Sequence, residues 1–240
     1  MTRPRILLVP TLTELEWLIK PELEQWAEVA SFDLPGVGDE PAAERLDLDA
    51  IVGRALAELD RTGWDSCFIV GDSHGIRTAV GAATSWPGDV LGMALGHARL
   101  TDRTEGERPP LNKAVWDAMN QLLKNDASGF IRHGLTQLTQ GSMGDELARK
   151  MTERVPIDAA RTAFEEMRSR TGLIEEPLRA LAVPLLFAKH EGCIASTEEG
   201  WQDAVAAFPA ARTVAVPLAP TVSPEFAAAL HSFCMEPVRA

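Results

Sequence analysis

Short apolar runs bounded by turn-forming residues recur along the chain. They are continuous rather than alternating, which is typical of strands covered on both faces in a parallel sheet. Between several of these runs lie helical patterns, such as the apolar residues at spacings of three and four within residues 48–59. This alternation predicts an α/β protein with a doubly wound, mostly parallel sheet. The predicted strands cover residues 6–10, 29–34, 67–70, 91–95, 184–188 and 213–217.

The alternation stops between residues 104 and 176, where the pattern becomes largely helical and polar. We therefore predict a core formed by residues 1–103 and 177–240 and a helical insertion, here called the cap, formed by residues 104–176. Ordinary helical packing is one interpretation of the cap. An insertion over the carboxyl edge of a parallel sheet would also cover the ligand crevice.

Composition narrows the classes of function. The 240 residues are 45% hydrophobic, which is enough for one domain with a full core. The formal charge of −12 argues against nucleic acid as a partner, because nucleic-acid binders usually carry a basic face. No stretch reaches the roughly 20 apolar residues of a membrane span, and residues 1–5 lead into a strand without the apolar core of a signal peptide. We expect a cytoplasmic protein that does not bind membranes.

The cysteines indicate neither a disulfide framework nor a metal site. Cys67, Cys193 and Cys234 are an odd number and show neither CxxC nor Cys/His spacing. We predict free thiols, no bound metal and no cofactor.

One pentapeptide carries the strongest chemical signal. Gly71-Asp72-Ser73-His74-Gly75 follows the predicted strand 67–70 and precedes the small-residue stretch 76–83. A Gly-x-Ser-x-Gly sequence between a strand and a helix forms a sharp turn that its glycines permit and that exposes the serine hydroxyl above the sheet. Ser73 is therefore the candidate nucleophile.

With this turn, the chain resembles the α/β-hydrolase superfamily over essentially its full length. Residues 33–38 are similar to the Asp-x-Pro-Gly-x-Gly turn of that family, and the cap lies where the family carries one. The chain also ends as the family commonly does, with a strand at 214–217 and a terminal helix from about 223. The resemblance implies the α/β-hydrolase fold and an oxyanion hole formed by the backbone N–H groups of Leu12 and His74.

The resemblance stops at three places that matter for catalysis. The family's His-Gly after the first strand is replaced here by Pro10-Thr11-Leu12-Thr13. The loop that usually supplies the acid is Lys189-His190-Glu191-Gly192-Cys193, in which Gly192 takes the place of the aspartate; Glu191 is either the acid or a solvated loop carboxylate. The segment that should hold the catalytic histidine is residues 217–223, where Thr221 or Pro220 takes its place.

A serine without this histidine needs another base. His97 is the best placed of the five histidines, since it ends the strand expected beside the nucleophile strand. A hydrogen bond to backbone of the cap is the alternative role for His97. His190 is the second candidate, and Asp72 either holds a loop donor or takes part in proton transfer.

The remaining candidates would contact substrate. Trp17 and Trp116 are candidates for an apolar lining, with core packing as the alternative. His133 lies in a predicted cap helix, where it contacts either solvent or substrate. The full set of predicted substrate-binding residues is Thr11, Thr13, Trp17, Trp116, His133, His190 and Thr221.

Three functions compete. The first is a serine hydrolase or acyltransferase acting on a small, hydrophobic ester or thioester; the intact Ser73 turn favours it and the missing terminal histidine opposes it. The second is a biosynthetic lyase, isomerase or cyclase in which Ser73 donates a hydrogen bond and His97, with Asp72 or Glu191, moves protons. The third is a non-catalytic protein that binds a ligand or partner in the same pocket. The sequence leaves the oligomeric state open.

Overall fold

A parallel sheet forms the centre of the molecule. Its six strands are β1 (Arg5–Leu8), β2 (Glu28–Ser31), β3 (Ser66–Asp72), β4 (Asp89–Gly96), β5 (Leu185–His190) and β6 (Arg212–Val216), in the spatial order β2-β1-β3-β4-β5-β6. All five strand pairs are parallel. Each strand overlaps one of the predicted apolar runs, so the predicted sheet is confirmed. The computed structural model describes residues 2–11, 16–35, 37, 40–41, 47–73, 75–97, 118, 121–126, 129–130, 174–191 and 198–236.

Helices cover both faces of the sheet. Within the described residues they are α1 (Glu16–Leu23), α2 (Leu48–Thr62), α3 (Gly75–Ser85), α4 (Glu175–Leu181), α5 (Glu198–Ala207) and α6 (Pro224–Met235), with a 3₁₀ turn at Pro220–Val222. The predicted helix over residues 48–59 corresponds to α2. It begins after Asp47, whose carboxylate accepts a hydrogen bond from the Ala50 amide at 3.0 Å, and it ends at Gly63 with φ 64°.

The apolar strand residues divide between two cores. Leu7 and Ile69 face the core beneath α2 and α3, where they join Leu59 and Ala79. Alternate strand residues face the opposite core, which packs against α1 and α6. Because side chains alternate across a strand, a sheet with a core on each face needs apolar residues at successive positions. This explains why the predicted strands read as continuous apolar runs. The second core includes Ile6, Leu8, Phe68, Val70, Ile19, Leu23, Phe226 and Leu230.

The predicted cap falls almost entirely outside the described residues. Its boundaries at residues 104 and 176 therefore stay predictions. Helix α4, which begins at Glu175, packs against α3, and its buried Leu178 belongs to the same hydrophobic core as the α3 residues. Among the described helices, none has the length and apolar character that crossing a membrane requires.

Candidate active site

Ser73 occupies a left-handed turn between β3 and α3. Its φ is 50°, a conformation that residues other than glycine seldom adopt, and its side chain is exposed. The Ser73 amide donates a hydrogen bond to the Gly96 carbonyl at 3.2 Å, which extends the β3–β4 ladder by one residue. Such a conformation costs on the order of 1–3 kcal/mol and persists where the surrounding structure enforces it. The turn therefore presents the Ser73 hydroxyl at the carboxyl edge of the sheet.

The glycines of the pentapeptide serve close packing rather than the turn angle itself. The sequence pattern predicts that they permit the turn, yet the left-handed φ lies on Ser73. A β-carbon on Gly71 would lie 2.8 Å from Cβ of Ala79 and 3.1 Å from the Gly75 carbonyl oxygen. Small residues here let α3 start directly against the end of β3.

A buried carboxylate lies immediately before the serine. Asp72 accepts a hydrogen bond from Nδ1 of His97 through Oδ1, with the two atoms 2.6 Å apart. Asp72 is 5% exposed and His97 is 7% exposed. A buried carboxylate needs such a partner, and a hydrogen bond to a charged acceptor is about twice as strong as a neutral one.

The backbone of His97, like its ring, makes a hydrogen bond to a neighbouring strand. Its φ is 52°, so β4, like β3, is followed by a left-handed residue other than glycine. Its amide donates to the Ala188 carbonyl on β5 at 3.0 Å. His97 is thereby tied to β5 through its backbone and to β3 through its side chain.

A second histidine continues the chain of hydrogen bonds. Nε2 of His97 lies 3.3 Å from Nδ1 of His190, and the two rings make a T-shaped contact, with centroids 5.4 Å apart and planes at 81°. His190 is the last residue of β5 and is 4% exposed. We call Asp72, His97 and His190 the relay. It joins the carboxyl ends of three neighbouring strands, β3, β4 and β5.

The relay is not arranged as a metal site. Its nitrogen and oxygen atoms face each other in sequence rather than a common point. In the part of the chain that the structure describes, no group of three or more His, Cys, Asp or Glu side chains is placed to hold a metal ion.

The 3₁₀ turn at Pro220–Val222 packs against the end of β4, next to Asp72. A β-carbon on Gly96 would overlap Oδ1 of Asp72 and would lie 2.9 Å from Cγ of Pro220. The next residue, Thr221, is 1% exposed, and its buried hydroxyl has no hydrogen-bond partner among the described residues. The absence of a side chain at Gly96 is thus what allows the turn and the Asp72 carboxylate to lie so close together.

Comparisons with solved structures settle the fold. A hydrolase from Oleispira antarctica superposes with a TM-score of 0.76 at 15% identity, over 99% of this chain and 93% of that chain. An esterase from Exiguobacterium antarcticum gives 0.76 at 13% identity, and the enol-lactonase from Burkholderia xenovorans LB400 gives 0.74 at 16%. Both of these matches cover 98% of this chain and 93% of the other. The chain has the α/β-hydrolase fold. No family model and no curated protein sequence matches it.

In this α/β-hydrolase fold, the side chains of Asp72 and His190 contact the His97 ring. Both ring nitrogens of His97 bond within the relay, and no hydrogen bond joins His97 to the Ser73 hydroxyl among the described residues. Glu191, the other predicted acid, has an exposed side chain, and its amide donates to the Val216 carbonyl at 2.8 Å. Asp72, rather than Glu191, is therefore the carboxylate that contacts a histidine.

The remaining predicted residues divide into two groups. Thr11 is buried after the end of β1, and Thr221 is buried in the 3₁₀ turn. Nothing in the structure bears on the others. Leu12, Thr13, His74, Trp116 and His133 lie outside the described residues, as does the side chain of Trp17.

Sequence reasoning missed the contact between His97 and His190. A signal was present, because each histidine ends one of two successive predicted core strands on either side of the cap. Successive strands of a sheet are commonly neighbours, which would have brought the two side chains together.

Proposed function

We propose that this protein is an enzyme that acts on a small ester, thioester or related carbonyl substrate through Ser73, with a base other than the usual terminal histidine. The observation that carries the proposal is the exposed Ser73 on its left-handed turn, directly after a carboxylate of a buried proton relay. The names of the esterase and the enol-lactonase with the same fold support a substrate of this class.

In the proposed reaction, Oγ of Ser73 attacks the substrate carbonyl carbon while its proton passes to the base. The bond to the leaving group then breaks, the leaving group takes up that proton, and an acyl-serine remains. Water, or another acceptor, releases the acyl group in the second half of the reaction. The amides of Leu12 and His74 stabilise the negative charge on the carbonyl oxygen.

We assign the role of the acid to Asp72 rather than to Glu191. The hydrogen bond from His97 to Asp72 is short and buried, whereas the Glu191 side chain is exposed. A carboxylate that orients a histidine and stabilises its protonated form must be bonded to that histidine. Asp72 meets this condition.

The substrate pocket lies, in this proposal, between the carboxyl edge of the sheet and the cap of residues 104–176. Thr11 and Thr221 contribute from the core, and Thr13, Trp17, Trp116 and His133 from the first loop, α1 and the cap. The apolar residues among them favour a hydrophobic small molecule, and we propose a cytoplasmic location for the reaction.

One observation favours a second candidate function, a lyase, isomerase or cyclase that uses the same pocket. Both nitrogens of the His97 ring are engaged within the relay and not with Ser73. A relay that is not hydrogen-bonded to the serine favours a reaction that consists of proton transfers. In such a reaction, Ser73 donates a hydrogen bond to a developing enolate.

Exposure to a fluorophosphonate and to a panel of short acyl esters, followed by intact-mass analysis, tests the proposal. We expect a single adduct on the wild-type protein that is absent from Ser73→Ala, together with a loss of ester turnover on the order of 10⁴-fold. Ser85→Ala, at the exposed end of α3, is the matched control and should keep both the adduct and the rate.

Three results would contradict the proposal. Undiminished turnover by Ser73→Ala would remove Ser73 as nucleophile. An absence of both adduct and ester turnover in the folded wild-type protein would favour the proton-transfer enzyme. Tight ligand binding without any turnover would favour a non-catalytic protein.

A further inference from the structure

We propose that the relay exchanges its proton through Nε2 of His190, and that Asp72 and His97 act through that atom as positioning residues. This inference rests on the proposed function, because it names the base of that same site. It replaces a direct proton transfer between His97 and Ser73.

The proton positions follow from the donors and acceptors along the chain. An ionised carboxylate only accepts hydrogen bonds, so Nδ1 of His97 must carry the proton of the 2.6 Å bond to Asp72. In the neutral ring, Nε2 of His97 is then an acceptor, so Nδ1 of His190 must donate to it across 3.3 Å. Both rings are therefore Nδ1–H tautomers, and Nε2 of His190 carries a lone pair.

Among the described residues, this lone pair is the one ring-nitrogen position of the relay that is open to a new proton. Nδ1 and Nε2 of His97 are engaged, and so is Nδ1 of His190. Within the residues that the structure describes, Nε2 of His190 has no hydrogen bond. A general base must present an unprotonated, unengaged atom to the proton that it removes.

Proton uptake at this atom leaves every hydrogen bond of the relay in place. As Nε2–H forms on His190, its Nδ1 proton can pass to Nε2 of His97, which breaks one N–H bond and forms another. The positive charge then lies on His97, directly beside the Asp72 carboxylate in a buried site, where opposite charges attract strongly. The proton returns to the leaving group by the reverse sequence.

Direct use of His97 would require a larger change. Its ring would have to break the contact with His190 to reach another group. Its Nδ1 bond to Asp72 and its amide bond to the Ala188 carbonyl hold it against such a movement. Catalytic groups are most effective when their orientation is already set.

The tautomers can be measured without any substrate. In protein labelled with ¹⁵N-histidine, long-range proton–nitrogen correlation spectra at about pH 8 distinguish Nδ1–H from Nε2–H rings. His97→Gln and His190→Gln assign the signals. We expect both rings of the wild-type protein as Nδ1–H tautomers, and we expect Asp72→Asn to abolish this single arrangement, because an amide can also donate to Nδ1.

The matched control is Asp89→Asn, which removes an exposed carboxylate at the amino end of β4 and should leave both tautomers unchanged. An Nε2–H tautomer at His190 in the wild-type protein would overturn the proposal. So would an Asp72→Asn spectrum identical to that of the wild type. This measurement does not depend on turnover, so its outcome is separate from that of the Ser73 labelling.

Kinetics with an ester that the protein hydrolyses provide the second readout. The side-chain amide of His190→Gln can still donate to Nε2 of His97 but cannot accept the reaction's proton. We expect kcat to fall at least about 10²-fold, with KM nearly unchanged, in His190→Gln. His231→Gln, on the exposed face of α6 against Trp26, is the control and should keep full activity. A fully active His190→Gln would overturn the assignment of Nε2.

Discussion

The Ser73 turn and the relay lie at the same edge of the sheet, yet they are built in different ways. The turn arises within five consecutive residues, Gly71 to Gly75, and the helix that follows them. The relay joins residues that are separated by 25 and 93 positions along the chain. A site element formed by neighbouring residues can be recognised from sequence, whereas one formed across strands depends on the fold.

The two regions also differ in the burial and hydrogen bonding of their side chains. Ser73 and His97 have nearly the same backbone conformation, with φ of 50° and 52° at the ends of adjacent strands. The Ser73 side chain is exposed, but the His97 ring is buried and is hydrogen-bonded at both nitrogens. One left-handed turn thus presents a hydroxyl group to solvent, and the other holds an imidazole ring inside the protein.

Of the substitutions that distinguish the two regions, Gly96→Ala should cause the largest loss of stability. It should act on the relay. The new methyl group would overlap the Asp72 carboxylate and crowd Pro220. We expect the free energy of unfolding to fall by roughly 3 kcal/mol, from overpacking and from the weakened bond to a charged acceptor. Urea denaturation measures the loss, and the histidine spectra should show that the single tautomer arrangement is gone.

Gly92→Ala is the matched control for this change. It lies on the same strand, and its β-carbon would come 2.9 Å from Cζ of Phe233, away from the relay. It should destabilise the protein while leaving both histidine tautomers in place. Identical spectra for Gly96→Ala and the wild type would contradict the account of how Gly96 accommodates Asp72.

Gly71→Ala should affect the other region, with a smaller loss of stability. Its methyl group would lie 2.8 Å from Cβ of Ala79 and would push α3 away from β3. We expect the free energy of unfolding to fall by about 2 kcal/mol. Fluorophosphonate labelling of Ser73 should slow markedly, while the relay tautomers stay as in the wild type.

A glycine on a helix surface provides the control for Gly71→Ala. Gly53 in α2 has no atom within 4 Å of an added β-carbon, so Gly53→Ala should leave labelling unchanged and slightly stabilise the helix. Unaltered labelling in Gly71→Ala would show that the close approach of α3 does not determine the reactivity of Ser73.

The smallest expected effect concerns the opposite end of β3, where Cys67 is buried. Desolvation on burial raises the pKa of the Cys67 thiol, and that of the Cys234 thiol, from 9.0 to about 12. In a Cys193→Ser variant at about pH 8, we expect neither thiol to react with a thiol reagent until the protein is denatured. Ready labelling of the native variant would contradict this burial.

The same pKa shift predicts the sign of a pH effect on stability. Between pH 9 and 12, the folded state retains thiol protons that the unfolded state has released. The associated stability is complete below pH 9 and is lost as the pH rises towards 12. Urea midpoints should therefore fall over this range, and Cys67→Ala should reduce the fall.

Much of the fold and part of the site could be predicted from the sequence. Every described strand overlaps a predicted apolar run, and the Gly-x-Ser-x-Gly pattern located Ser73 between β3 and α3. The sequence indicates His97 and His190 as groups at strand ends, but not as partners. Glu191 and Asp72 were both named as carboxylates for the site, and no spacing argument distinguished the exposed one from the buried one.

By itself, the sequence determined the strands and the position of the serine. Continuous apolar runs are stable only where a strand has a core on each face. The small residues around Ser73 shape a turn between residues that are neighbours in sequence. Only the tertiary structure decided which groups meet His97. That contact depends on strand order and on register, and both are set by packing between segments far apart in the chain.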